Sequence, residues 1–134
     1  MFKVATKGGT DLINISDKIE KIIKKSGISD GVVNVFIRHT TAGVVIIENE
    51  EGILKDFKIC FEKFASMNNH YFHNELQDDD NGSSHFRASM ISPSVMIPFK
   101  NEKMLLGTWQ QVFLVDFDTH SREREVAVSI IEGK

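Results

Sequence analysis

Three of the five histidines, His39, His73 and His85, are the residues best suited to chemistry in this sequence of 134 residues. Neutral imidazole binds transition metals and exchanges protons near neutral pH. A carboxylate such as Asp79 could join these histidines in either role, or could help to bind a diphosphate through Mg²⁺. Eleven residues separate His73 from His85, which matches no compact metal-binding motif. A shared site therefore requires the fold to bring the three rings together.

The stretch RHTTAGVVIIENEEG has polar residues at both ends of an apolar run. His39 and Thr41 precede the run, and Glu48 follows it. A strand from Thr41 to the end of the run spans roughly 20 Å, so one subunit would need a bend to bring His39 and Glu48 to one small ligand. Either a neighbouring subunit supplies the far end, or Glu48 and Glu50 serve only the start of the next helix.

Arg122 and Arg124 occupy alternate positions immediately before the predicted strand 125–131. Alternate residues of a strand share a face, so the two guanidinium groups could bind one phosphate together. The alternative interpretation is a pair of solvent-exposed charges at the end of the strand.

Apolar residues at helical spacing predict two amphipathic helices, at 14–27 and 50–65. Ser16 is expected to cap the first helix, and acidic residues begin the second. Apolar and β-branched runs predict strands at 1–6, 32–38, 41–47, 86–91, 94–99, 104–107, 110–117 and 125–131, with a hairpin turn at 101–102. This order predicts an α+β fold with a single domain spanning residues 1–134. We expect a mixed or mainly antiparallel sheet in a sandwich-like core, with two helices packed to one side.

Residues 66–84 show neither helical nor strand periodicity, and connections of this length are usually functional or disordered. The segment contains His70 and His73, ends against His85, and carries three consecutive aspartates. Its aromatic and aliphatic residues favour an ordered loop.

The composition is that of an ordinary globular protein, with 41% hydrophobic and 26% charged residues and a formal net charge of -3. Basic residues form no concentrated patch, so we expect no nucleic-acid partner. Cys60 is the only cysteine, which excludes an internal disulfide and suits a reducing compartment. No apolar run reaches membrane-spanning length and no signal-peptide core is present, so we expect a cytoplasmic protein without a membrane partner.

Several short motifs occur in a fixed order along the chain: HTTA, ENE, HN, D-x-N-G-x-S-H, RAS, LGTWQ, DFD and R-x-R. This set resembles the secondary thiamine-phosphate synthase family, also called the YjbQ-like proteins, over nearly the whole chain. The resemblance implies an α+β fold and a homotrimer. It also implies the formation of thiamine phosphate from a hydroxymethylpyrimidine diphosphate and a thiazole phosphate. This activity is described as secondary, so the physiological substrate is left open.

The motifs match polar residues that recur in the family to particular positions in this sequence. They are His39, Thr41, Glu48, Glu50, His73, Asp79, His85, Gln110 and Arg124. Two turns depart from the family pattern, at 101–103 and near Ser121, which affects the expected loop geometry more than the site.

Together these observations predict roles for individual residues in a small-molecule site. The predicted catalytic residues are His39, Asp79 and His85; the predicted substrate-binding residues are Thr41, Gln110, Arg122 and Arg124; the predicted ligands of a divalent metal, Mg²⁺ or a transition metal, are His39, His73, His85 and Glu48. Two alternatives remain open: a metal-dependent hydrolase or lyase that uses the three histidines, and a non-enzymatic trimer that binds a small molecule or a metal.

Overall fold

The computed structural model describes residues 1–133, which form eight strands and four helices. The strands are β1 (Phe2–Thr6), β2 (Asp11–Asn14), β3 (Gly31–Ile37), β4 (Ala42–Glu48), β5 (Ser94–Lys100), β6 (Lys103–Met104), β7 (Gln110–Asp116) and β8 (Arg122–Glu132). The helices are α1 (Ser16–Ser26), α2 (Glu51–Phe64), α3 (Phe72–Gln77) and α4 (Gly82–Ile91).

The strands form two antiparallel sheets. The larger sheet has the order β1-β8-β3-β5-β6, and the smaller sheet has the order β2-β7-β4. Every strand pair in both sheets is antiparallel. This architecture confirms the predicted α+β fold with a mainly antiparallel, sandwich-like core.

The smaller sheet is buried on both faces, and the alternation along β7 shows how. Val112 and Leu114 face a core shared with the larger sheet and with α1. Phe113 and Val115 face the opposite way, into a second core with residues of α2 and α4. Because successive strand residues point to opposite faces, one strand supplies both cores.

The prediction of only two helices was wrong. Residues 86–91 are the second half of α4 rather than a strand, and α3 lies inside the segment 66–84 that was expected to be a loop. The inward face of α4 carries Ser84, Arg87, Ala88 and Ile91 at helical spacing. Small and charged residues on this face conceal the apolar period that normally identifies a helix.

Three further details differ from the predictions. β2 was not predicted, and of the predicted strand 104–107 only Met104 is in a strand, as the second residue of β6. Ser16 does not cap α1, because its Oγ accepts a hydrogen bond from the Val112 N–H at 2.8 Å. The hairpin turn at 101–102 is confirmed, with φ of 50° at Asn101 and 63° at Glu102, as expected for a two-residue turn of the mirror-image type.

A short crossing segment ties the two sheets together where α4 leads into β5. The Ser92 carbonyl accepts from the Val44 N–H at 3.0 Å, and the Pro93 carbonyl accepts from the Ile37 N–H at 2.7 Å. Gly43 permits this approach, since a Cβ there would lie 2.7 Å from the Ser92 oxygen. The end of β3 and the start of β4 are therefore held against the last turn of α4.

Candidate functional site

A pocket of about 360 Å³ lies between the β3–β4 turn and α4. Its lining comprises His39, Thr40, Ala42, His85, Ala88, Ser89 and Pro93; we call it the imidazole pocket. The turn contributes His39, and the first half of α4 contributes His85. Two of the three histidines that the sequence analysis selected therefore line one cavity.

The hydrogen bond to His39 determines which of its nitrogens can contact a ligand as a donor. Its Nε2 accepts from the backbone N–H of Glu125 at 2.9 Å. In the neutral ring the proton then lies on Nδ1, because a nitrogen that accepts a hydrogen bond carries no proton. Burial lowers the pKa of His39, and the nearby Arg124 guanidinium lowers it further. His39 is therefore a neutral donor through Nδ1–H at pH 7.

His85 is also held in its neutral form. Burial is the main factor that lowers its pKa, and the adjacent His73 ring acts in the same direction. The centroids of the His73 and His85 rings lie 4.5 Å apart. The carboxylates of Asp118 and Asp79 raise the pKa but do not outweigh burial. A neutral imidazole keeps one unprotonated nitrogen, so His85 can accept a hydrogen bond or a proton.

The side chains of the third predicted histidine and the predicted aspartate lie beside the imidazole pocket rather than in its lining. His73 Nδ1 lies 3.4 Å from Asn74 Oδ1, which also accepts from the Gly82 N–H at 2.7 Å. This link holds α3 against the start of α4 and keeps His73 beside His85. Asp79 is exposed, and its carboxylate accepts from the Asp80 N–H at 2.8 Å.

A buried ion-pair network lies behind the pocket and contains two of the predicted substrate-binding residues. Arg124 donates to both carboxylate oxygens of Asp116, from Nε and Nη2, at 2.7 Å each. Its Nη2 also donates to Thr41 Oγ1 at 2.7 Å. Arg124 is 4% exposed and Thr41 is 5% exposed, so both lie in the protein interior and do not line the pocket.

Asp118 links this network to the start of α4. Burial raises its pKa, but hydrogen bonds from the Thr119 N–H, Asn81, Arg122 and Thr41 outweigh burial and lower the pKa to about 2. The Arg122 Nε donates to Asp118 at 3.0 Å, while about half of the Arg122 side chain remains exposed. Asp118 therefore remains ionised and joins the two arginines to the segment that presents His85.

Asp116 and Asp118 were overlooked as site residues, although they form the DFD motif noted in the sequence. Both carboxylates stand at the end of the apolar run QVFLVDFD, and both are buried. A buried carboxylate requires a partner, and the R-x-R motif on the next strand supplies one. The presence of the DFD motif and the R-x-R motif in one sequence was the signal that could have identified Asp116 and Asp118 as buried partners of the arginines.

The other predicted residues lie at the opposite end of the smaller sheet. Glu48 pairs with Gln110 in the register of β4 and β7, whereas Ala42 pairs with Asp116. Six strand steps separate the two ends, or roughly 20 Å. Gln110 Oε1 accepts from the Gly107 N–H at 2.8 Å. Within one chain, Glu48 and Gln110 do not meet the imidazole pocket.

Glu50 lies at the start of α2, in agreement with the alternative that this residue stabilises the start of the helix. Its carboxylate accepts from the N–H groups of Gly52 and Ile53 at 2.7 and 2.9 Å. These two hydrogen bonds lower its pKa. Glu50 is therefore the N-terminal cap of this helix.

Among residues 1–133, no group of three or more His, Cys, Asp and Glu side chains is arranged to hold a metal ion. No helix in the same range is both long and apolar enough to cross a membrane.

Sequence comparison identifies the group of proteins to which the chain belongs. The family model described as "UPF0047 protein YjbQ-like" matches residues 1–133. The chain is a member of the YjbQ-like family. A UPF0047 protein of Methanothermobacter thermautotrophicus is 36% identical over 125 residues, which cover 93% of this chain and 85% of the relative. A UPF0047 protein of Archaeoglobus fulgidus is 35% identical, with coverage of 90% and 91%. The predicted family is thus confirmed.

Solved structures of YjbQ-like proteins have the same fold. The crystal structure of a YbjQ-like protein of unknown function from Sulfolobus solfataricus matches with a TM-score of 0.90 and 30% identity, covering 98% of this chain and 96% of that chain. An uncharacterised YjbQ/UPF0047 protein from Clostridium acetobutylicum matches with a TM-score of 0.84 and 31% identity, with coverage of 98% and 100%. The architecture is therefore that of the family.

Proposed function

We propose that this YjbQ-like protein is a transferase of the thiamine-phosphate synthase type. It would join a hydroxymethylpyrimidine diphosphate to a thiazole phosphate with release of diphosphate. The observation that carries the proposal is the imidazole pocket, in which a donor of defined orientation, His39, and a neutral acceptor, His85, line one cavity. The resemblance of the motifs supplies the choice of substrates.

The two histidines suit the charge changes of this reaction. The bond between the pyrimidine methylene carbon and the diphosphate oxygen breaks, and its electron pair leaves with the diphosphate. The thiazole nitrogen then forms a bond to the resulting carbocation. The Nδ1–H of His39 would donate to the departing diphosphate, where negative charge accumulates. His85 would accept from the amino group of the pyrimidine and so strengthen electron donation from the ring.

The buried ion-pair network would keep these groups in place. Arg124 binds Thr41, the residue between the His39 turn and β4, and the backbone N–H next to Arg124 in sequence is the donor to His39 Nε2. A rigid support of this kind holds a catalytic side chain in one geometry during the reaction. We therefore propose that Arg124 positions His39 and does not contact the substrate.

A divalent metal remains part of the proposal, in a limited form. The residues of one chain do not fit a complete metal site, because residues 1–133 supply no group of three ligands and His39 Nε2 already accepts a hydrogen bond. Mg²⁺ would enter as the counterion of the diphosphate, bound by substrate oxygens. The assignment of Glu48 as a ligand stays a prediction that needs a second subunit.

Two other functions are weaker on this geometry. A hydrolase or lyase with a transition metal on His39, His73 and His85 would have to break the hydrogen bond of His39 to the Glu125 backbone. The close pair of His73 and His85 is the observation in its favour. A non-enzymatic binding protein would use the same pocket and would show thermal stabilisation by the substrates without turnover.

We also propose that the protein works as a homotrimer in the cytoplasm. Support for assembly comes from the outer face of the larger sheet, where Met96 is 61% exposed and Ile131 is 57% exposed. These apolar residues and Val32 lie on one face of the sheet, as the strand register shows. Light scattering coupled to gel filtration tests the trimer directly. Support for the compartment comes from the free thiol of Cys60.

The experiment that tests the transferase is an assay of thiamine phosphate formation from the two substrates and Mg²⁺. The His85→Ala variant is expected to form product about 100-fold more slowly than the wild type, as is typical when a residue in proton transfer or hydrogen bonding to the reacting groups is removed. The matched control is His120→Ala, which removes an exposed histidine outside the pocket and should leave the rate unchanged. Absence of product from the folded wild type, or a rate that does not depend on His85, would contradict the proposal.

A further inference from the structure

A second cavity adjoins the imidazole pocket on the other side of His39. It has a volume of about 400 Å³ and is lined by Phe36, Ile37, Arg38, His39, Thr40 and Pro93; we call it the side lobe. It shares His39, Thr40 and Pro93 with the imidazole pocket. The two cavities are therefore parts of one groove, with His39 between them. We infer that the side lobe is a binding site for a phosphorylated aromatic ring, with Arg38 holding the phosphate and Phe36 stacking on the ring.

Arg38 is the guanidinium of the groove that can bind an anion. Only its Nη1 makes hydrogen bonds within residues 1–133, to Glu125 Oε2 at 3.2 Å and, more weakly, to the Met1 sulfur. Both charged side chains of the Arg38–Glu125 pair are about half exposed. Exposed ion pairs contribute little, so a doubly charged phosphate can replace Glu125, and guanidinium binds phosphate through two parallel hydrogen bonds.

Arg124, the buried arginine behind the groove, is not free to bind an anion in this way. Arg124 is held by both oxygens of Asp116 and by Thr41. Moving it toward a ligand would leave the buried Asp116 carboxylate without its partner, which costs much more than breaking a surface pair. The phosphate-binding role that the sequence suggested for Arg124 is therefore better suited to Arg38.

Phe36 supplies the apolar half of the site. It is 40% exposed and lies two residues before Arg38, which is the first residue after β3. Its neighbours in the adjacent strands are Ser94 and Ala127. Because both neighbours are small, they leave part of the aromatic ring exposed. Two residue steps at the end of β3 separate Phe36 from Arg38 by roughly 7 Å if the chain stays extended, which suits a ligand with a ring at one end and a phosphate at the other.

This inference deepens the proposed function and rests on it for the identity of the second reactant. A ring that stacks in the side lobe lies next to His39, and the partner substrate in the imidazole pocket lies on the other side of the same residue. Two reactants held in adjoining cavities meet the requirement that a transferase bring them together. The phosphorylated ring would be the thiazole phosphate, and the diphosphate substrate would occupy the imidazole pocket.

Titration calorimetry with phenyl phosphate tests the side lobe without any need for turnover. The Arg38→Ala variant is expected to bind phenyl phosphate at least about tenfold more weakly, since a hydrogen bond to a charged group is lost. The Phe36→Leu variant keeps an apolar side chain but loses the aromatic ring, and should bind about fivefold more weakly. Lys3→Ala is the matched control, because Lys3 is an exposed cation of the same sheet that pairs with Glu123 outside both cavities. It should bind as the wild type does.

Further measurements test the phosphate and the aromatic ring of the ligand separately. They also distinguish the side-lobe proposal from the proposed synthase function. Inorganic phosphate and benzyl alcohol should each bind much more weakly than phenyl phosphate, and equal binding of either would overturn the assignment of a combined site. His85→Ala should leave phenyl phosphate binding unchanged, because His85 lines only the imidazole pocket. Binding that depends on Arg38 in a protein without synthase activity would support the side lobe and overturn the proposed function. Binding that is unaffected by Arg38→Ala would overturn the side lobe whatever the activity.

Discussion

The two ends of the smaller sheet both have polar residues, but these residues differ in burial. At one end, Asp116 is fully buried and binds Arg124, an almost fully buried residue of the larger sheet. At the other end, Glu48 and Gln110 face each other across β4 and β7, and Gln110 is exposed. Both ends were predicted to contribute to one site, yet only the first end adjoins a cavity with histidines.

The difference shows that covering elements decide which polar residues can become a chemical site. The start of β4 is covered by α4 and by the crossing segment at Ser92–Pro93, which partly bury His39 and His85. In a less polar environment the charged form of a histidine is disfavoured, so both rings have lowered pKa values. At the far end Gln110 is exposed, and Glu50 caps the start of α2.

The largest expected effect is a loss of stability at the buried end. Arg124→Ala leaves Asp116 as a buried carboxylate without its partner, and such changes cost about 3–5 kcal/mol. Denaturant unfolding monitored by circular dichroism measures the loss. Lys3→Ala, which breaks the exposed pair with Glu123, is the control and should unfold at the same denaturant concentration as the wild type. If both variants lost the same small amount, the buried network would not be what holds this end together.

The second effect compares the two ends in catalysis. His39→Gln should reduce thiamine phosphate formation about 100-fold, because the donor at Nδ1 is lost. Glu48→Gln should leave the rate within about twofold of the wild type, since a substitution far from the reacting groups removes no transition-state contact. A large loss with Glu48→Gln would show instead that a neighbouring subunit completes the site.

Residue type and order allowed the family and the fold class to be predicted, and they selected three histidines, of which His39 and His85 line one cavity. α4 was missed because its inward face is built from Ser84, Arg87 and Ala88, which carry little hydrophobic signal. The interior position of Arg124 was missed for a related reason. A charged side chain is expected at the surface unless a partner is known, and its partner Asp116 lies on a strand of the other sheet. Local patterns therefore selected the candidate residues, whereas burial depended on contacts between distant segments.

A smaller effect is expected from the cap at the exposed end. Glu50→Ala removes the acceptor for the Gly52 and Ile53 N–H groups. The melting temperature should fall by a few degrees, as for other lost N-terminal caps, while the assay of thiamine phosphate is unaffected. Glu51→Ala removes an exposed carboxylate one residue later and serves as the control. A fall in activity with Glu50→Ala alone would assign the far end a role in the reaction.

The smallest effect is a pH dependence that belongs only to the pocket end. The folded-state pKa values of His39 and His85 lie below the ordinary value of 6.5, chiefly because of burial. Below pH 6.5 the unfolded chain therefore binds protons that the folded chain does not, so the free energy of unfolding falls as the solution becomes more acidic. The stabilising contribution of the two neutral histidines is fully present above pH 6.5. The decline between pH 7 and pH 5 should be shallower in the double variant His39→Gln/His85→Gln, and NMR titration of each ring in the wild type should give a midpoint below 6.5. A midpoint at or above that value for His85 would mean that the ring is protonated more readily than its burial predicts, and it would remove the neutral acceptor from the proposed reaction.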